Sequence, residues 1–406
     1  MEAEPLLAAL AVVFVGYGIF SRVLGNSIMP APLAFALAGL GFGSAGLVMF
    51  SVDPQSETLL LFAEITLALV LFGDASRLSF GKVVKMNRLA QRILLIGLPL
   101  SILFGALAAI GLFPGLAWVE AALLAAMLAP TDAALGAAVV ENEAVPVRIR
   151  RTIITESGLN DGLAVPAVLL FAALSGYAEH GANGDWQFWA GFAAQQIGFG
   201  AIAGLAVGAA GGIAIRTASR AGWLDMRFET LACLGVAGCA FVFANAIGGN
   251  AFVSAFVAGL SFAAMCEDRT GIVAEFVEEE GRFLSLTLFF LFGCALAPVA
   301  LADFQWIYLF YALLSLTVIR LAAVAISLFG TGVSWPTLLY LGWFGPRGLA
   351  TIVFVLLVFG EGVTSEPIRT TAYLTVMLSI LLHGISAAPL AARYAHSKAA
   401  KADGGE

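Results

Sequence analysis

Thirteen apolar runs, most of them close to the length needed to cross a bilayer, fall at 5–21, 27–50, 57–76, 90–112, 117–140, 149–175, 186–215, 228–247, 250–266, 281–300, 304–330, 335–359 and 368–392. A hydrocarbon core of about 30 Å takes about twenty helical residues to span, so each run predicts a transmembrane helix. The composition agrees: 61% of the residues are hydrophobic and only 12% charged, where soluble domains carry about 25% charged residues. The expected fold is an all-α polytopic membrane protein of about 13 transmembrane helices. Glu2 and Glu4 stand where a cleavable leader would carry Lys or Arg, so the first run is read as the first membrane helix. A net charge of -7 and no basic tail speak against nucleic acid as a partner.

The lysines and arginines orient the chain, because basic residues gather in cytoplasmic loops. With the N-terminus outside, seventeen of the twenty fall in or beside inward loops, among them Arg22, Arg77, Lys82, Lys85, Arg148, Arg220, Arg269, Arg393, Lys398 and Lys401. The outward loops hold only Arg369, and Arg320 and Arg347 lie inside runs. An even number of spans would scramble this asymmetry. The C-terminus is therefore expected in the cytoplasm.

Two runs are interrupted. Run five carries Pro130, Thr131 and Asp132 in its middle, and proline there lacks an N–H and crowds the preceding turn. Run twelve carries Gly342 and then Gly345, Pro346, Arg347 and Gly348 at a comparable depth. Broken spans at corresponding places in two halves point to inverted repeats with a binding site near the midplane. Runs five and twelve cross in opposite directions, as inversion requires. Two ordinary proline kinks are the plainer alternative.

Charge at bilayer depth costs about 2.5 to 3.5 kcal/mol per residue, so it persists where a partner or a function offsets it. Run six nevertheless holds Glu156, Ser157, Asn160 and Asp161. Glu156 and Asn160 share one helical face, and Ser157 and Asp161 share the next. The only basic residues at similar depth are Arg320 in run eleven and Arg347 in run twelve. A buried pair between Glu156 and Arg320 is expected, with Arg347 a second member of the network. Asp161, Asp132, Ser157 and the carbonyls freed around Thr131 are then oxygen donors with no committed cation. Hard oxygen ligands suit an alkali ion, and unwound carbonyls add ligands that a regular helix withholds. A carboxylate so placed holds a proton or a sodium ion but hardly both, and that competition can couple two movements. An intramembrane hydrogen-bond network without an ion is the alternative.

PTD in run five, ESGLNDG in run six and the later GPRG resemble the NhaP-type branch of the cation:proton antiporters. LFGDASR around Asp74 and GGNAFVSAFVAGL at 248–260 extend the likeness over nearly the whole chain. The resemblance implies a thirteen-helix fold in which a mobile core domain works against a dimerisation domain, by alternating access, as a homodimer in the inner membrane. Residues 1–395 would form a single transmembrane transporter domain, and 396–406 a short cytoplasmic tail. It also implies that Asp161 and Asp132 are the ion-site carboxylates, Ser157 and Thr131 ligands, and Asn160 and Glu156 organisers. Asp74 resembles the acid that relatives contribute to the site or its cytoplasmic funnel. The expected cation set is thus Asp161, Asp132, Ser157, Thr131, Asn160 and Asp74, beside a structural network of Glu156, Arg320 and Arg347. The adjacent Asn160 and Asp161 go, in this resemblance, with electroneutral one-for-one exchange of sodium, or of lithium or potassium, for a proton. Ala133 departs from the TDP motif of many relatives, which leaves the geometry of that turn open.

Other features carry less. His180, His383 and His396 form no HExxH and no cluster, so no zinc site and no cofactor are expected. The four cysteines have no metal-ligand spacing and read as packing residues. Gly41, Gly43 and Gly46 match GxGxxG without a strand, which reads as close helix packing. Gly200, Gly204, Gly208 and Gly212 recur every four residues, a face for close helix contact within the chain or at a dimer seam. A cation channel would want an open file of sites. An intramembrane aspartyl protease would want a GxGD context that Asp132 and Asp161 lack.

Overall fold

A computed structural model of the protein describes residues 3–25, 29–77, 87–132, 134–140, 142–180, 186–266, 270–360, 363 and 365–397. Lys82, Lys85, Ala133, Arg269, Lys398, Lys401 and all but the start of the expected tail lie outside the described residues. Every regular element among those described is helical.

The chain begins with α1 (Ala3–Gly25), α2 (Ala31–Phe42), α3 (Glu57–Ser76) and α4 (Arg88–Leu112). Run five supplies α5 (Trp118–Met127), then a break, then the 3-10 turn Ala134–Gly136 and the single turn Ala137–Val140. The long helices α6 (Val147–His180) and α7 (Trp186–Arg220) follow, then α8 (Met226–Ala246) and α9 (Ala251–Met265). Asn250 caps α9 by accepting from the N–H groups of Phe252 and Val253, which the helix itself leaves unpaired. Next come α10, from Thr270 to Ala302, and α11, from Trp306 to Ser327. Run twelve is split into α12 (Trp335–Trp343) and α13 (Leu349–Gly360), and α14 (Glu366–Ala395) is the last. Nine of these helices are long and apolar enough to cross a membrane, and α2, α5, α9 and α13 are shorter apolar helices. Each apolar run of the sequence thus carries helix among the described residues, and runs five and twelve lose it around Pro130 and Pro346.

The second half repeats the devices of the first seven runs later. A π-helical segment interrupts α4 at Ile93–Gly97 and α11 at Ser315–Ile319. Runs five and twelve are broken, and α6 and α14 each carry an interior proline, Pro166 and Pro389.

The chain divides into two compact units, one of Met1–Leu60, Asn87–Asn160 and Ser285–Glu406, the other of Leu61–Met86 and Asp161–Leu284. In the first unit, Leu89, Ile93, Ile149, Ile153, Val324, Leu341, Phe344 and Tyr394 belong to one buried apolar cluster. There α2 lies against α10 through two glycines: a methyl on Gly39 would strike the Phe290 carbonyl, and one on Gly293 the Ala36 carbonyl. In the second unit, Phe72, Cys233, Ala237, Ala258 and Phe262 form the buried cluster. The glycine stripe of α7 packs within the chain, on α9. Gly204 faces the Ser254 carbonyl, Gly208 the Ala258 carbonyl and Gly212 Phe262 and Met265, and Ser261 donates to the Gly204 carbonyl at 3.2 Å.

Side chains on this stripe must push two helix backbones apart. Gly208→Leu should lower thermal stability in detergent by about 1 to 3 kcal/mol, the usual cost of overpacking. Gly198→Leu, on the same helix with open space around it, should leave the melting curve unchanged. Equal melting of the two variants would remove the close α7–α9 contact.

Candidate functional site

In the first unit, the two broken runs meet at their breaks. Pro130 cannot donate to the α5 ladder, and the chain beyond Leu128 leaves the helix. In run twelve, α12 ends at Phe344 and Pro346 keeps Gly345 out of helical geometry. Both breaks therefore leave backbone groups unpaired, and in lipid each would cost several kcal/mol. The breaks pair with each other. Asp132 N–H donates to the Pro346 carbonyl at 2.8 Å, and Leu349 N–H donates to Asp132 Oδ2 at 2.9 Å. The Arg347 guanidinium donates to the carbonyls of Ala129 and Pro130 at 2.6 and 2.9 Å, and Thr351 Oγ1 donates to that of Met127 at 2.9 Å. An acid thus sits at the positive N-terminal end of α13 and a base at the negative end of α5, as the helix dipoles favour.

The two glycines of GPRG make this approach possible. A Cβ at Gly348 would occupy the place of the Asp132 carboxylate, and one at Gly345 the place of the Arg320 guanidinium. Neither glycine has a positive φ among the backbone exceptions, so the requirement is for space.

The acids and amides of α6 fasten to the same region. Arg320 Nη2 donates to Glu156 Oε2 at 2.8 Å, and both side chains are almost fully buried, at 2% and 4% exposure. Arg320 follows directly on the π-segment of α11, whose extra residue per turn re-aims everything after it. Thr131 Oγ1 lies 3.1 Å from Ser157 Oγ and 3.4 Å from Glu156 Oε1. Asn160 Nδ2 donates to Thr131 Oγ1 at 2.5 Å. Its amide oxygen is buried and has no hydrogen-bond donor among the described residues.

Thr131, Glu156, Ser157, Asn160 and Arg320 are therefore brought into one contact set, and Asp132 and Arg347 into the adjoining helix crossing. Asp161 is buried, at 7% exposure. It continues the same unbroken helix one turn beyond Ser157, and is the first residue assigned to the second unit. Asp74 is half-buried in the last turn of α3, in the second unit. Three residues that sequence reasoning passed over also belong here: Thr351, and Ser379 with His383 on α14. Ser379 Oγ accepts from Arg347 N–H at 2.6 Å, and His383 Nε2 lies 3.0 Å from the Trp343 carbonyl. Their signal was available, since Thr371, Thr375, Ser379 and His383 recur every four residues in an apolar run and are all fully buried.

Buried oxygens thus surround two crossed, unwound stretches of backbone. The family model for the transmembrane sodium/hydrogen exchanger matches residues 9–393. The chain belongs to that family. This exchanger family member is 26% identical over 397 residues to the K(+)/H(+) antiporter NhaP of Alkalimonas amylolytica, covering 96% of this chain and 67% of that one. It is 27% identical over 314 residues to the Na(+)/H(+) antiporter NhaP of Pseudomonas aeruginosa, covering 72% of this chain and 71% of the other. The chain spans about two thirds of the length of these curated relatives. The fold is that of the sodium proton antiporter MjNhaP1 from Methanocaldococcus jannaschii, with a TM-score of 0.76 at 19% identity over 98% of this chain and 100% of that one. The protein is thus a multi-pass membrane transporter of the cation/proton exchanger class, and not an enzyme.

Removing one partner of a buried ion pair leaves the other charge uncompensated, at about 3 to 5 kcal/mol. Glu156→Gln should lower the melting temperature in detergent together with activity. An unchanged melting curve would mean that the pair with Arg320 does not hold α6 to α11.

Proposed function

We propose that the protein carries one monovalent alkali cation, sodium first, against one proton by alternating access, with both competing for Asp161. Asp161, Asp132, Ser157, Thr131 and Asn160 are the candidate ligands, and Asp74 a further acid on the path. The observation that carries this reading is the division of labour on α6. Glu156 is committed to Arg320, whereas Asn160, one residue before Asp161, keeps a buried amide oxygen with no donor among the described residues, an oxygen that suits a bare cation. A single carboxylate holding either one proton or one alkali ion has the same charge on both journeys, so the exchange is electroneutral. Residues 1–395 act as one transporter domain, as a homodimer in the cell's inner membrane, with the N-terminus outside and the C-terminus in the cytoplasm. Potassium is the second reading, favoured by the similarity to relatives named as K(+)/H(+) antiporters, and oxygen ligands alone accept either ion.

Transport measurements test this. In proteoliposomes with a preset proton gradient, sodium, lithium and potassium are added in turn, and the ion that dissipates the gradient at the lowest concentration is the substrate. Asp161→Asn should abolish exchange while the melting curve stays in place, and the wild type's half-saturation for the cation should rise as pH falls, since protons take the same oxygens; full activity of the variant, or a pH-independent half-saturation, would sink the site assignment. A membrane potential contributes about 2.3 kcal/mol per net charge moved per 100 mV, so electroneutral exchange should run at the same rate with and without one. A steady current from the purified protein in a planar bilayer would refute that stoichiometry.

A further inference from the structure

Break twelve is bridged from α14. Ser379 Oγ takes the Arg347 N–H at 2.6 Å on one side of the unwound stretch, and His383 Nε2 meets the Trp343 carbonyl at 3.0 Å on the other. Between them, Ser379 Oγ and His383 Nδ1 are 3.2 Å apart. His383 is fully buried, and its ring lies 5.1 Å from that of Trp343, whose indole N–H donates to Ser386 at 3.0 Å.

Donor and acceptor counting assigns every proton in this chain. The Trp343 carbonyl can only accept, so His383 Nε2 carries a hydrogen. Ser379 Oγ already accepts from Arg347, so its own hydrogen needs an acceptor, and His383 Nδ1 is the one within reach. The Ser379 carbonyl also lies 3.0 Å from Nδ1, but in a regular helix it already accepts the backbone N–H of His383, four residues on, and a hydrogen on Nδ1 would leave the Ser379 hydroxyl without an acceptor and the Trp343 carbonyl without a donor from the ring. A neutral imidazole with its proton on Nε2 gives each of these side-chain hydrogens an acceptor.

We infer that His383, through Ser379, is a positioning residue of the exchanger: the two side chains buckle Trp343 to Arg347 across the break, and so fix where the Arg347 guanidinium meets the end of α5. Break five has a related device, with the Thr131 hydroxyl held by Ser157 and Asn160 on the following helix. Here the following helix offers a hydroxyl and an imidazole in place of a hydroxyl and an amide. His383 touches no candidate cation ligand through its hydrogen bonds, so it acts on the rate of the moving part and not on the affinity of the site.

The inference rests on the exchanger reading above, and the test separates the two. In proteoliposomes of the full chain, His383→Ala should cut the maximal exchange rate about tenfold, as loss of one buried hydrogen bond implies, with cation half-saturation within about twofold of wild type. His383→Gln places an amide N–H as many bonds from the backbone as Nε2, and should restore most of the rate. His383→Asn reaches only the Nδ1 position and should not. If the alanine variant fails to fold, the contrast between the glutamine and asparagine variants decides. Wild-type rates in Ala, or Gln no better than Asn, would overturn the assignment. Independently of transport, nitrogen NMR of histidine-labelled protein, with the His383 signals identified by their loss in His383→Gln, should show a bare Nδ1 and a protonated Nε2. A proton on Nδ1 would also overturn it, whereas failure of wild-type exchange would sink the exchanger reading and leave this spectrum as the remaining arbiter.

Discussion

In a bilayer, an unwound stretch of backbone has no water to turn to, and the cost of one unpaired group is several kcal/mol. Two such stretches, in runs five and twelve, stand among the described residues, and each is tolerable because the other is there. Asp132 supplies its N–H to break twelve and its carboxylate to the start of α13. Arg347 supplies its guanidinium to the end of α5. The exchange is reciprocal in sign as well as in hydrogen bonds, since an acid meets a helix N-terminus and a base meets a C-terminus. Neither break could be repaired by a better helix former without orphaning groups on the other.

This crossing sorts the buried charges by task. Arg347 answers to the end of α5 and Arg320 to Glu156, so these charges are tied to structure before any ion arrives, while Asp132 caps α13 through one carboxylate oxygen. Pairs of this kind contribute little net stability when compared with apolar packing, but they penalise heavily any rearrangement that separates them. They are suited to keeping the crossing rigid while something else titrates. On α6 that leaves Asn160, whose amide is held directly beside the ion pair and Thr131. On the proposed reading, a cation would meet that amide oxygen where groups that do not change charge have already set its position.

Much of this was legible in the sequence, and the reason lies in what is local. The thirteen runs, their two proline breaks and the four-residue pairing of Glu156 with Asn160 are properties of one segment at a time. Arg320 could be matched to Glu156 because so few charges exist at that depth. What could not be read were relations between segments. Nothing in the spacing of PTD says that the Asp132 carboxylate caps a helix more than two hundred residues away, or that the glycines of GPRG are there to admit Asp132 and Arg320. The α7 stripe was visible as a contact face, but its partner, α9, was not. His383 was set aside because it was sought as a metal ligand, a role that needs companions. As a hydrogen-bonding group on a buried polar stripe it needed only Ser379, one turn away.

The likeness between the two halves makes the remaining difference between them informative. Each half breaks one helix and has the next helix hold the break with polar side chains about one turn apart, through the Thr131 hydroxyl in the first half and through the backbone of Trp343 and Arg347 in the second. In the first half the gripping helix brings Glu156, Ser157, Asn160 and Asp161, all able to present oxygen. In the second it brings Ser379 and His383, and the break itself carries Arg347. A duplicated scaffold would offer two equivalent places for a cation, and cationic or imidazole groups fill the second with N–H donors. On the proposed reading, the carboxylates of α6 have no counterpart in the gripping turn of α14, which suits exchange governed by a single carboxylate.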